Sequence, residues 1–424
     1  MNKTRMVRWT FISAVLLICW CLIAIPAVTV AAEEDNQGQT TVVNTQPASA
    51  WPMYMYDPQR TGHSDHRGPA SAVEVKWEAR HSGWIDVTFL GLAANGDIYT
   101  VTESNNLIVL DPRYGDNQEQ FSAAMRGAPV VLNNGNVVAT DGAKSVIAMQ
   151  NADLYAWRFT FKDEDYSNDL QTAPAVSHNG ESIYIHAPDG QLFALDASAG
   201  KEKWKSEVYG DITPVVSPDG TVYTVSAANR SETGYLYAVN ADTGAVQWKL
   251  QLSSENMGEC NLAVADDGTI YVSSRHNLYA VTPSGELQWK VAIADRLTAP
   301  AIGEEALYIG TGDGILYAIN FDGSVKWQYE TPEAIQLAPI IGADGTVYVC
   351  SAKMLYALDP ATGGVLFRYN AQQPITAGPI IDGKGLLYIA ANNRVIALYS
   401  KAPYAPYQLT AETDRLNNVH LTWQ

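Results

Sequence analysis

The chain has 424 residues, 47% of them apolar, which is enough for a substantial core. Its 27 basic and 45 acidic residues leave a formal charge of −18. That balance argues against nucleic acid and anionic membrane surfaces as partners, because both need a basic face, and it suits a soluble exported protein.

Residues 1–32 read as a signal peptide. Lys3, Arg5 and Arg8 precede an uncharged, mostly apolar run from Trp9 to Ile25; Pro26 breaks it, and Val30-Ala31-Ala32 offers small residues for cleavage after Ala32. Trp9 to Ala32 is also just long enough to span a bilayer, so an uncleaved anchor is the alternative. Ile18 and Trp20 precede Cys19 and Cys21 where lipidation wants a small residue, so both cysteines are expected to leave with the signal. No membrane insertion is then expected after cleavage. Residues 33–50 are rich in Gln, Asn, Thr and Ser and read as a polar linker. Next comes Trp51-Pro-Met-Tyr-Met-Tyr-Asp-Pro-Gln-Arg-Thr-Gly-His-Ser64, whose aromatic density says that it packs on something.

From here the chain repeats. Each unit opens on an apolar run, often after proline, as in Pro174-Ala-Val, Pro300-Ala-Ile and Pro339-Ile-Ile. A turn dipeptide follows: Asn95-Gly96, Asn134-Gly135, Asn179-Gly180, Asp219-Gly220, Asp267-Gly268, Asp344-Gly345 or Lys384-Gly385, with Glu304-Glu305 in one unit. Asn-Gly and Asp-Gly suit two-residue hairpins with positive φ at both central positions. A β-branched and aromatic strand comes next, with tyrosines at Tyr184, Tyr223, Tyr271, Tyr308, Tyr348 and Tyr388. A third strand reads Leu-Tyr-Ala or close to it. A second turn, such as Thr243-Gly244 or Thr362-Gly363, leads to a strand carrying a large aromatic.

The clearest copy of the last two strands is Ala194-Leu-Asp-Ala-Ser-Ala-Gly-Lys-Glu-Lys-Trp204. Ala238 to Trp248 repeats it, Ala148 to Trp157, Ala280 to Trp289 and Ala318 to Trp327 are one residue shorter, and Ala357 to Phe367 carries Phe. The first unit departs: Val109-Leu-Asp111 is followed only by Phe121. Trp157, Trp204, Trp248, Trp289, Trp327 and Phe367, with Trp77 added below, are read as docking aromatics. Each would lie across the neighbouring unit and bury roughly 150–250 Å², with the alanine leaving room for it.

Four short antiparallel strands at a period of about forty residues describe a propeller blade. Units begin near Thr88, Gly127, Thr172, Ile212, Glu259, Leu297, Leu337 and Ala377. The last stops after three strands at Leu398-Tyr399, while Val73-Glu-Val-Lys-Trp77 precedes the first. The N-terminal strand is therefore expected to complete the last blade, placing Trp77 beside residues 377–400. The expected fold is all-β: an eight-bladed β-propeller over residues 51–400.

No residue makes a catalytic case. His63-x-x-His66 lies in a Gly- and Ser-flanked loop, and Asp163-Glu-Asp165 reads as a solvated connector. His178, His186 and His276 fall in separate units. Gly310-Thr-Gly-Asp-Gly314 joins two strands, whereas a phosphate cradle needs a helix. Cys260 and Cys350 sit in different repeats with no metal or redox spacing and read as buried small hydrophobes.

The motif of 194–204 resembles the tryptophan-docking motif of the pyrrolo-quinoline-quinone-type β-propeller repeat superfamily. Trp51-Pro, Asp57, Arg60-Thr61-Gly62 and Ser64 resemble a lead-in of its secreted members. The resemblance spans residues 51–400. It implies relatives of three kinds: quinone-dependent dehydrogenases, an outer-membrane barrel-assembly lipoprotein and non-enzymatic surface proteins. The dehydrogenases use an adjacent cysteine pair, a calcium ion held by Glu, Asn and Asp, and a catalytic Asp. This sequence has no adjacent pair in its repeats, and its blades lack long inserted loops. In residues 401–424, a linker leads to Pro406–Ala411 and Val419–Trp423, which resemble the first two strands of a fibronectin type III sandwich. Such sandwiches need roughly 100 residues, so the domain is expected to be truncated here.

The functional expectation is a secreted or cell-surface, non-catalytic, monomeric platform. It would use no cofactor or metal and would bind a protein or carbohydrate at one propeller face. A quinone-dependent dehydrogenase with a divergent site and a cell-envelope protein-assembly factor are the alternatives.

Overall fold

The computed structural model describes residues 32–34, 40–42, 52–80, 86–103, 106–121, 126–141, 144–151, 154–162, 170, 172–210, 212–226, 234–253, 257, 259–293, 296–401, 410–413 and 419–422. The signal-peptide reading, Trp51, Asp163–Asp165 and Trp423 lie outside these residues, save Ala32. The chain forms two compact units, Met1–Ala48 and Ser49–Gln424. In the first, Ala32–Glu34 pairs antiparallel with Thr40–Val42, a short ladder within the segment read as a linker.

The second unit contains eight four-stranded antiparallel sheets in chain order, an eight-bladed β-propeller with no helix among the described residues. Blade 1 comprises Val87–Leu92, Ile98–Thr102, Leu107–Leu110 and Asn117–Phe121. Blades 2 to 7 span 126–160, 175–209, 215–253, 261–292, 301–330 and 340–370. Blade 8 takes Ile375–Ile381, Leu387–Ala391 and Arg394–Ser400 from the end of the propeller, and its outer strand, Val73–Arg80, from the beginning. The register runs Val73↔Ser400, Trp77↔Ala397 and Arg80↔Arg394. Trp77 therefore sits where the sequence puts it, with its ring 5.8 Å from that of Tyr388. First strands touch between blades 1 and 2, 3 and 4, 4 and 5, and 6 and 7, and Ile375–Ile381 of blade 8 touches Val87–Leu92 of blade 1, so the ring closes.

Burial follows strand position. Second strands such as Ser182–His186 and Val347–Ser351 are buried throughout, because both faces meet other blades. Outer strands alternate, as in Glu202–Tyr209, because one side meets solvent. The repeated tyrosines of the second strands, among them Tyr184, Tyr223, Tyr308, Tyr348 and Tyr388, are among the largest fully buried side chains.

The turns between first and second strands correct one expectation. Only the glycine has positive φ in them: Gly96, Gly135, Gly180, Gly220, Gly268, Gly345 and Gly385 do, and the preceding Asn, Asp or Lys does not. In blade 1 the Gly96 N–H donates to Ala93 O and the Ala93 N–H donates to Asp97 O, which makes a three-residue loop with a left-handed glycine. The Asn or Asp has a different task. Its side-chain oxygen accepts the N–H two residues on, as Asn95 does from Asp97 (3.0 Å) and Asp267 from Thr269 (2.9 Å).

In the tail, Thr410–Thr413 pairs antiparallel with Val419–Thr422; the first shares only Thr410 and Ala411 with the strand expected over 406–411, and the second lies within the strand expected over 419–423.

Candidate functional site

Two arrangements define the surfaces on which this propeller can work: the belt that locks the blades and the plug bonded to the ends of their first strands.

The belt is built from the repeated motif. Every docking aromatic stands opposite a third-strand alanine: Ala148↔Trp157, Ala194↔Trp204, Ala238↔Trp248, Ala280↔Trp289, Ala318↔Trp327, Ala357↔Phe367 and Ala397↔Trp77. The indoles then cross to the next blade. Trp157, Trp204, Trp248, Trp289, Trp327 and Trp77 donate Nε1–H to the carbonyls of Ala197, Ala241, Pro283, Phe321, Pro360 and Pro112 at 2.7–3.0 Å. Each ring lies on a turn glycine of that blade: Gly200, Gly244, Gly285, Gly323, Gly363 and Gly115. A β-carbon on any of these glycines would come within 2.3–3.0 Å of the indole. In four of these turns an Asp or Asn four residues before the glycine, Asp111, Asp196, Asn240 or Asp359, accepts N–H groups of the turn. Asp196 accepts the N–H groups of Ser198 and Ala199, and the Ser198 hydroxyl and these N–H groups hold its carboxyl below the usual range.

The exceptions follow the same geometry. Blade 8 has no turn between its third and outer strands, because they come from opposite ends of the propeller, and the blade before it carries Phe367, which has no N–H to donate. Blade 2 makes that connection between Asn151 and Leu154 without a glycine. In the blade before it, the docking register holds Glu119, opposite Val109; Phe121 stands opposite Leu107, two residues beyond the place of a docking aromatic.

The plug is the aromatic lead-in. Pro52–Pro69 winds around one mouth of the channel and hydrogen-bonds to inner strands in turn. Pro52 O accepts from Val131 of blade 2, Pro58 O from Val216 of blade 4, and Gln59 O from Val264 of blade 5. Thr61 O accepts from Ile302 of blade 6 and Gly62 O from Ile341 of blade 7. These donors lie at the ends of the first strands, so the plug occupies the side of the first-to-second turns. Lys401 N donates to Ala72 O on that side as well, so the chain enters and leaves the propeller there. The opposite face carries the second-to-third turns and the connectors between blades.

Within the plug, Met55, Tyr56 and Arg60 adopt left-handed φ values of 61°, 80° and 58°. Asp57 accepts the Thr61 N–H at 2.9 Å and its hydroxyl at 2.5 Å, and burial pushes its carboxyl up to about 6. The Tyr56 hydroxyl donates to Asp65 Oδ2 at 2.8 Å. Tyr54 and Met55 line a cavity together with Thr88, Phe89, Ala338 and Pro379, from the inner strands of blades 1, 7 and 8 and the approach to them.

The other residues singled out in the sequence are dispersed. His63 and His66 belong to the plug, with a parallel bridge from His63 to Ile341 and His66 O accepting from Ala343 N. His178 Nε2 contacts Val216 O at 3.1 Å, and His186 is buried between Gly190 O and the Thr224 hydroxyl. His276 O accepts from Ile293 N. Gly310–Gly314 joins strands Leu307–Gly310 and Ile315–Ile319 through a turn held by the Thr311 hydroxyl. Cys260 and Cys350 are buried in blade 5 and its approach and in blade 7, and burial pushes the Cys350 thiol up. Among the described residues, no group of three His, Cys, Asp or Glu side chains could hold a metal ion.

A family model described as outer membrane protein assembly factor BamB matches residues 70–231 and 232–342. The outer membrane protein assembly factor BamB of Yersinia pestis is 25% identical over 290 residues, 63% of this chain and 70% of that protein. Among solved structures, quinohemoprotein alcohol dehydrogenase from Comamonas testosteroni superposes with a TM-score of 0.68 at 14% identity, covering 88% of this chain and 84% of that one. BamB from Moraxella catarrhalis gives 0.52 at 17% identity, covering 80% and 92%. At these identities the structural likeness speaks for the fold alone.

Proposed function

This chain belongs to the family described as outer membrane protein assembly factor BamB, and from that premise we propose that it is an exported, non-catalytic propeller that holds a protein partner during assembly of the cell envelope. The family match, which runs through blades 1 to 6 and into blade 7, is the observation that carries this reading. It favours the assembly role over the general surface platform, and a protein over a carbohydrate as the bound partner. The geometry supports the reading by leaving one face for the task. The plug and both crossings of the chain occupy one side of the ring, and the turns and connectors of the other side are displayed on a frame locked blade to blade. Rigid frames carrying varied loops suit recognition.

The test is deletion of the gene in its own organism, with the amounts of correctly folded envelope proteins measured. Loss of those proteins, restored by the wild-type chain, is the expected result. Unchanged envelope proteins together with alcohol or sugar oxidation by the purified chain, supplied with quinone and calcium, would establish the dehydrogenase instead.

A further inference from the structure

Arg60 is 8% exposed. Among the described residues its guanidinium makes no hydrogen bond and no ion pair. The guanidinium packs on the Tyr54 ring, and none of its nitrogens is among the buried atoms without a hydrogen-bond partner, so they keep contact with solvent; donors left open in so buried a residue call for an explanation. Its nearest carboxylate does not supply one. Asp57 bonds Thr61 through both oxygens and acts on the Arg60 guanidinium through space. Asp266, the next acid along this side, is held by the Gln59 amide at 3.1 Å.

The position of the guanidinium is defined by its neighbours. The backbone around Arg60 is bonded to blades 5 and 6, through Gln59 O and Thr61 O. Its Cζ lies 5.7 Å from the centre of the Tyr54 ring. Tyr54 in turn lines the cavity bounded by blades 7, 8 and 1. The Arg60 side chain therefore lies against Tyr54, beside that cavity. Tyr54 stays 37% exposed, and its hydroxyl has no partner among the described residues. The nearby cavity wall is Thr88, Phe89, Leu90, Ala338, Ala377, Gly378 and Pro379, which offers no competing carboxylate.

We propose that the plug builds an anion site at the channel mouth, in which a small oxyanion pairs with the Arg60 guanidinium and accepts a hydrogen bond from the Tyr54 hydroxyl. A carboxylate- or sulfate-like group fits the planar donor fork, which binds two oxygens at once. The apolar wall lowers the local dielectric and strengthens that pairing. The site is separate from the loops of the opposite face and does not depend on the assembly role.

Calorimetric titration of the full chain with sulfate and with acetate, at constant ionic strength balanced with chloride, tests the site. One saturable site per chain is expected, weakened about 10- to 100-fold in Arg60→Met, in proportion to a lost charge-assisted hydrogen bond. Without anion, Arg60→Met should melt close to the wild type, because the guanidinium makes no hydrogen bond or ion pair to the described residues and only its packing on the Tyr54 ring is lost. Crystals of the wild-type chain soaked in selenate supply a measurement that needs no variant, with anomalous density expected beside Arg60 and Tyr54. Equal titrations for the wild type and Arg60→Met, or no density at that place, would overturn the proposal.

Discussion

The Trp157 indole lies on Gly200 of the following blade and donates its N–H to Ala197 O in the same turn, at 2.9 Å. In blades 3 to 6 one motif thus does two things: its tryptophan reaches forward, while its turn glycine receives the tryptophan from behind. Blades are locked in sequence by the same eleven or so residues that close each sheet.

Removing a docking tryptophan should destabilise by an amount graded by burial. Trp204 is 8% exposed, whereas Trp248 is only half-buried. Trp204→Ala is expected to cost about 3–5 kcal/mol, in the range for large aromatic truncations, and Trp248→Ala measurably less. Chemical denaturation of both variants checks the order, and equal losses would count against burial as the cause.

The receiving glycine should be as sensitive as the tryptophan. At Gly200 φ is +65°, and an added β-carbon would lie 2.3 Å from Trp157 Cε3. Gly200→Ala must therefore displace the indole as well as strain the turn, and a loss of about 1–3 kcal/mol is expected. The double variant with Trp157→Ala should lose less than the two single changes together. Strict additivity in that cycle would show that the two residues do not act on each other.

Ring closure rests partly on Arg394, which is 5% exposed and reaches Ala371 O at 2.6 Å and both Glu78 oxygens at 3.3 Å. This side chain ties the N-terminal strand to the last blade and to the approach from blade 7. Arg394→Met should loosen the ring at this seam first. Hydrogen exchange is expected to rise at residues 73–80 before it rises in blades 3 to 6; uniform exchange along the chain would contradict it.

Docking of the plug should depend on pH. Burial raises the Asp57 carboxyl to about 6. A carboxyl whose folded value lies above its unfolded value favours the folded state most at low pH, and that contribution is lost as pH rises through about 6. After correction for intrinsic rates, the N–H groups of Val216, Val264, Ile302 and Ile341 should therefore exchange more slowly at pH 5 than at pH 7.5. Asp57→Asn should flatten this difference. An unchanged pH response in that variant would place the titrating group elsewhere.

The parts that could be read from the sequence are those that recur. The alanine-to-aromatic spacing announces the cross-strand register found from Ala148↔Trp157 to Ala357↔Phe367, and the lone strand around Trp77 announces how the circle closes. Other features were hidden for specific reasons. The three-residue turns share their Asn-Gly and Asp-Gly spelling with two-residue ones. The rule that tryptophan appears where the next blade offers a glycine turn could be seen only by comparing each motif with its successor.

Periodicity in the amino-acid sequence determined the strands, their number per blade and the closing of the ring, since each blade must satisfy the same local backbone and burial demands. The plug was decided by tertiary structure alone. Its partners are main-chain groups of blades far along the chain, such as Val264 for Gln59, and a main-chain partner has no signature in residue type. Only when the closed ring brings those strand ends together does Arg60 acquire its buried place beside Tyr54.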